Sequence, residues 1–246
     1  MNSSSRNIRA KKSLGQNFLK DHHILQKILT SSDISPDDHI VEIGPGFGIL
    51  TLELAKLAKK ITAIELDQRL LGHLRKILPK NVELLHLDAL KFQPPKTPYK
   101  VVANIPYYIT SPLLNHFLQA PNKPASMTLL VQYEVARKIC RLDPDMSVLS
   151  LQVALYGHAK LIKKVSPGAF SPQPKVDSAI LHIEIDPQTD DKTAEKILHL
   201  AKQAFSQGRK KLSNTIPEYK EKLAALQIQD KRPQHLSITD WLNLLS

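Results

Sequence analysis

The chain has 246 residues, 42% hydrophobic and 23% charged, which is enough for one large core and a second small one. Its 34 Lys and Arg outnumber 23 Asp and Glu by a formal +11, so the partner is a polyanion or an anionic surface, and a small neutral substrate alone does not account for the balance. One cysteine, Cys140, excludes a disulfide framework and a Cys-based zinc site and fits a reducing compartment; no stretch reaches the roughly 18 apolar residues of a membrane span, and no secretory core opens the chain.

Met1 to Lys12 is Ser-rich, carries Arg and lacks acids, a composition shared by mitochondrial transit peptides and by basic tails that touch nucleic acid phosphate. Patterning begins within a dozen residues, which favours the tail. Apolar runs at His39 to Ile43, Ile61 to Glu65, Val82 to Leu87 and Lys100 to Ala103 predict strands. Ile49 to Lys60, with Leu50, Leu54, Leu57 and Ala58 on one side, and Arg69 to Leu78 predict the crossover helices of a parallel βαβ sheet. Thr128 to Arg141 reads as a strand passing into a helix, and Ala179 to Ile185 as the strand that closes the sheet. Beyond Asp186-Pro187 the pattern is helical, with Ile197, Leu198, Ala201, Ala204 and Phe205 on one face and a capping signal at Ser237 to Asp240 before Trp241. The expected organisation is an α/β domain over 1–186 and a helical domain over 187–246.

The first strand runs into Glu42-Ile43-Gly44-Pro45-Gly46-Phe47-Gly48, a turn whose missing side chains let a ligand approach the backbone. The G-x-G-x-G spacing lacks both the pyrophosphate-packing G-x-G-x-x-G pattern and a Walker lysine, so dinucleotides and nucleoside triphosphates are disfavoured. Glu65 and Asp88 end the next two strands, and in a parallel sheet these ends share one crevice. Glu65 is placed to accept from ribose hydroxyls. Carboxylates without a phosphate to neutralise suit S-adenosylmethionine, whose sulfonium is cationic.

The fourth strand leads into Asn104-Ile105-Pro106-Tyr107. An adenine amine is a poor nucleophile because its lone pair is delocalised into the ring; acceptors for both N–H bonds favour a pyramidal nitrogen. The Asn104 carboxamide oxygen and the Ile105 carbonyl supply such a pair, with Pro106 stiffening the backbone and the Tyr107 ring stacking on the base. In-line attack on a sulfonium methyl needs no general base.

With these residues in view, the chain resembles the KsgA-type small-subunit ribosomal RNA adenine dimethyltransferases over nearly its whole length. Further matching segments are Lys12-Ser13-Leu14-Gly15-Gln16-Asn17-Phe18-Leu19, Phe170 to Ser178, and Arg232-Pro233 through Leu236-Ser237 to Asp240-Trp241. The resemblance implies a class I, Rossmann-like methyltransferase sheet with an all-helical C-terminal domain. It implies N6-dimethylation of two adjacent adenines in a hairpin loop near the 3′ end of small-subunit rRNA, by a cytoplasmic, metal-free monomer using S-adenosylmethionine. By the family's pattern Asn17 and Leu19 cover the methionine portion, Gly44 belongs to the cofactor turn, Glu65 holds the ribose, Asp88 the adenine amine, and Asn104 lies between cofactor and target. Tyr107 and Phe170 are the implied stacking partners of the flipped adenine. Asn17 and Leu19 are legible only through the resemblance; their local pattern reads as a helix entry.

Two other functions share features with this reading: a macrolide-resistance type methyltransferase of large-subunit rRNA, and an inert RNA-binding assembly factor. The Phe170 to Ser178 segment and the Arg232 to Trp241 tail speak against the first, and intact Asn104, Glu65 and Asp88 against the second. Cations expected to meet RNA are Arg6, Arg9, Lys11 and Lys12, then Lys160, Lys163 and Lys164, then Arg209, Lys210 and Lys211. Where the family carries a glycine-containing loop, this chain has the shorter Arg141 to Met146. His22-His23 lacks a third ligand and reads as a solvated pair rather than a metal site.

Overall fold

The computed structural model describes residues 9–141 and 145–245, so Arg6 and the centre of the Arg141 to Met146 loop lie outside the described residues. The strands β1 (Phe18–Leu19), β2 (His39–Ile43), β3 (Lys60–Glu65), β4 (Val82–His86), β5 (Lys100–Asn104) and β6 (Ser126–Gln132) are rich in Ile, Val and Leu, and β2, β3, β5 and β6 are almost wholly buried. Between them run α1 (His22–Ser31), α2 (Ile49–Leu57), α3 (Gln68–Ile77) and α4 (Thr110–Leu118). Asp21 starts α1 by accepting from the amides of His23 and Ile24, and Asp67 starts α3 by accepting from Arg69, so short acids satisfy otherwise orphaned N–H groups.

After α5 (Tyr133–Ile139) and α6 (Val148–Tyr156) come β7 (Gly157–Val165), β8 (Phe170–Ser171) and β9 (Ser178–Ile185). The main sheet has seven strands in the order β4-β3-β2-β5-β6-β9-β7, and β1 pairs separately with β8. Strands β2 to β6 are mutually parallel, whereas β9 runs antiparallel to β6. The sheet is therefore mixed, and Ala179 to Ile185 does not close it: β7 forms the edge. In the sequence β7 reads as a run of cations because Lys160, Lys163 and Lys164 interrupt its apolar positions, as is usual where charge protects an exposed edge.

Strand order reverses between β2 and β5, the place where open α/β sheets leave a crevice at their carboxyl ends. Beneath it Leu25, Ile28, Ile40, Leu54, Ile61 and Val102 form part of one buried cluster that also takes in Leu19 and Phe170.

Contacts divide the chain into two compact units, 1–136 with 160–185, and 137–159 with 186–246. This differs from the single cut expected at Asp186, because α6 packs on α7 (Asp191–Ser206) and is grouped with the later helices. The second unit also contains α8 (Leu212–Thr215), α9 (Lys220–Ala225) and α10 (Ile238–Leu245). Ala194, Ile197, Leu198, Ala201 and Ala204 are its buried α7 face, and Trp241 stacks on Phe205 at 6.3 Å. The Ser237 hydroxyl accepts from the Asp240 amide while Asp240 accepts from the Ser237 amide, the reciprocal cap that starts α10.

Candidate active site

A cleft of about 180 Å³ opens at the carboxyl ends of β2, β3 and β5, and Asn17, Gly44, Glu65, Asp88, Asn104, Ile105, Pro106 and Tyr107 all line it. Residues from five separate segments thus converge, because parallel strands end on the same side of the sheet. Leu19 lines a smaller adjoining hollow with Glu42, Gly44, Gly46 and Asn104.

Gly46 has φ +59°, and a Cβ there would sit 3.0 Å from the Phe18 ring, so glycine is required both by backbone conformation and by space. Its amide donates to Glu65 Oε2 at 3.1 Å, and the Asp67 amide donates to Glu65 Oε1 at 2.8 Å. These bonds pin the carboxylate at the cleft wall with lone pairs to spare. Burial raises the Glu65 carboxyl above its ordinary range, against the pull of those amides. Asp88, two residues beyond β4, accepts from the Leu90 amide at 3.0 Å and is fixed in the same manner.

Asn104 Nδ2 donates to the carbonyl of Asn17 at 3.1 Å. The carboxamide is thereby oriented, and its oxygen is left as an acceptor. Neither that oxygen nor the Ile105 carbonyl takes a hydrogen bond from another described residue. Tyr107 begins a single 3₁₀ turn, its hydroxyl 2.6 Å from Ser178 Oγ, and burial pushes its pKa up.

Phe170 is 1% exposed in the core cluster with Leu19, its partner in the β1–β8 ladder, and is not among the described residues that line the cleft. A ring set in that short antiparallel pair is turned into the core by the pleat.

Several residues at the cleft escape sequence reasoning. Gln16 Nε2 donates to Asp67 Oδ2 at 2.8 Å, and Arg69 grips the same carboxylate at 2.6 Å, which holds Asp67 at about 2. This ties the segment ahead of β1 across the cleft wall. Tyr108 is 59% exposed at the rim, its ring against Gly15. Glu42 is 1% exposed, and its Oε2 has no hydrogen-bond partner among the described residues. Burial drives its carboxyl up to about 8, the neighbouring Thr51 hydroxyl opposing this and the Glu65 charge adding to it. Glu42 stands in the glycine motif and was legible there as an acid; its isolation was not. Among the described residues no three His, Cys, Asp or Glu gather as a metal site, and no helix is long and apolar enough to cross a membrane.

A glycine turn, strand-end carboxylates and an Asn-x-Pro-Tyr segment at the switch point of a Rossmann-like sheet define an enzyme of the nucleoside-binding methyltransferase class. The family model for Ribosomal RNA adenine dimethylase matches residues 7–245. The chain is 42% identical over 221 residues to Ribosomal RNA small subunit methyltransferase A of Dehalococcoides mccartyi, covering 86% of this chain and 76% of that protein. It is 36% identical to the protein of the same name from Alkaliphilus metalliredigens, covering 96% and 91%. Among solved structures it is similar to a dimethyladenosine transferase from Plasmodium falciparum (TM-score 0.80, 28% identity, 93% and 96% covered). It is also similar to the 23S rRNA methyltransferase ErmE (TM-score 0.78, 29% identity, 93% and 98% covered). The chain belongs to the ribosomal RNA adenine dimethylase family and is an rRNA adenine dimethyltransferase.

Proposed function

We propose that this enzyme uses S-adenosylmethionine to dimethylate N6 of two adjacent adenines in a 3′-end hairpin loop of small-subunit rRNA, in the cytoplasm during subunit assembly, and acts as a monomer. The observation that carries the reading is the oriented Asn104 carboxamide beside the Ile105 carbonyl, two acceptors in a cleft that also holds Glu65 and Asp88. The names of the curated relatives support the small subunit as target.

The residues present fit the cofactor. Gly44, where a Cβ would meet only the Asn104 carbonyl at 3.8 Å, leaves the backbone open to a close ligand, and Glu65 and Asp88 offer carboxylates to a nucleoside at the cleft wall. S-adenosylmethionine, when bound, supplies a methyl group on a positively charged sulfur. Asn104 Oδ1 and the Ile105 carbonyl accept the two N6–H bonds of adenine, which localises the nitrogen lone pair. Pro106 fixes the peptide that presents this pair, and the Tyr107 ring, anchored through Ser178, stacks on the base. The amine loses its proton to water after methyl transfer, so the chemistry does not call for a histidine, and none is among the described residues lining the cleft.

Incubation of the purified protein with undermethylated small and large subunits, followed by mass spectrometric mapping, tests the proposal. Dimethyladenosines at adjacent positions of small-subunit rRNA are expected. Methylation of large subunits alone overturns it in favour of the ErmE-like activity, and cofactor binding without methylation of either subunit points to an assembly factor.

A further inference from the structure

We infer that a second groove, beside the cleft, is a subsite for the nucleobase next to the target adenine. The inference rests on the proposed function. The groove has a volume of about 380 Å³ and lies at the carboxyl end of β6, the strand next to β5, with Tyr133, Pro167, Lys175 and Val176 among its walls.

Two bonds tie it rigidly to the reacting end. The Tyr133 amide donates to the Asp177 carbonyl at 3.0 Å, and the next residue, Ser178, meets the Tyr107 hydroxyl at 2.6 Å. An RNA strand whose target base stacks on Tyr107 carries its neighbour one sugar-phosphate away along this edge of the sheet.

The chemistry of the groove fits a base. Val176 is 46% exposed, an apolar side chain that a planar ring would cover. The Tyr133 ring supplies a π-face, and Lys164 Nζ lies 4.8 Å from its centroid while pairing with Asp177 at 2.7 Å. That ion pair neutralises the Asp177 carboxylate at the groove wall, and Lys175 adds a cation there. The Gln132 carboxamide at the groove wall supplies an acceptor for an exocyclic amine, which a bare phosphate site would not need. Stacking on an aromatic ring holds a base out of its own strand, and the larger face of a purine gains more from it than that of a pyrimidine. A loop methylated at neighbouring adenines requires such a holding place while one of them reacts.

The test pairs protein and RNA changes. Small subunits are assembled on rRNA carrying either the natural base or a pyrimidine next to the first target, and turned over by wild type, Tyr133→Ala and Val176→Asp. With wild type the pyrimidine raises KM for subunits about tenfold, and each protein variant does the same on natural rRNA, with cofactor affinity by calorimetry unchanged. Combining a variant with the pyrimidine adds little, because both remove one contact. Multiplying effects, or variants that leave KM unaltered while wild type methylates normally, overturn the subsite but not the proposed function. A wild type silent on natural subunits overturns both. Val176→Asp, a surface change, keeps the test open should Tyr133→Ala fail to fold.

Discussion

Asn104 donates its side-chain amide to the main-chain carbonyl of Asn17 at 3.1 Å across 87 positions of sequence. This bond decides which atom of the carboxamide is left to meet substrate. Replacing Asn104 with Ala removes an acceptor that matters most in the transition state. Single-turnover methyl transfer is expected to fall by about 100-fold or more, with cofactor affinity changed only slightly. Near-normal turnover refutes the role.

Gln16 and Arg69 share the Asp67 carboxylate, so the segment ahead of β1 is held by a buried acid. Gln16→Ala is expected to speed cofactor dissociation several-fold while single-turnover chemistry at saturating cofactor changes little. Arg69 and Gln16 hold Asp67 near 2, below its ordinary 3.8, so the tie is at full strength above pH about 4 and is lost only as pH falls toward 2. Cofactor dissociation measured by stopped flow from pH 5 to 8 should therefore show no step from this group.

Glu42 has the opposite sign. Below pH 4.5 its carboxyl holds a proton whether the chain is folded or unfolded; from there to about 8 only the unfolded chain releases it. Stability contributed through this group falls as pH rises across that window and levels beyond it. Glu42→Gln should melt higher than wild type at pH 8.5, by an amount that shrinks toward zero near pH 4.5. Equal melting shifts at both pH values would show that the carboxyl ionises normally.

Tyr107 reaches Ser178, which is fully buried. Tyr107→Phe leaves that hydroxyl unpaired at a cost of about 1–3 kcal/mol in chemical denaturation, yet keeps the ring. Methyl transfer within a few-fold of wild type is expected, whereas Tyr107→Ala loses it.

Phe170 is 1% exposed and belongs to the buried cluster with Leu19. Phe170→Leu should cost about 1 kcal/mol and retain activity, while Phe170→Ala should destabilise by about 3–5 kcal/mol. A Leu variant that is stable but inactive would restore the stacking role.

Much of the site was legible because its signals are local. β2 begins and ends where its apolar run does, Glu65 ends β3, Asp88 lies two residues past the end of β4, and the glycine turn announces a backbone that other residues cannot adopt. The Ser237–Asp240 cap is likewise written in four consecutive residues. The edge strand β7 was hidden, since Lys160, Lys163 and Lys164 break up its apolar alternation.

The sequence by itself determined the parallel strand ends, the glycine turn and the Asn-Ile-Pro-Tyr segment, because periodicity, backbone freedom and side-chain chemistry act over a few residues. Only the tertiary structure decided that Asn17 orients Asn104, that Gln16 secures Asp67, that Glu42 Oε2 is buried without a hydrogen bond and that Phe170 is buried beside Leu19. Those outcomes depend on which distant segments meet and how much water they exclude, and no local pattern encodes either.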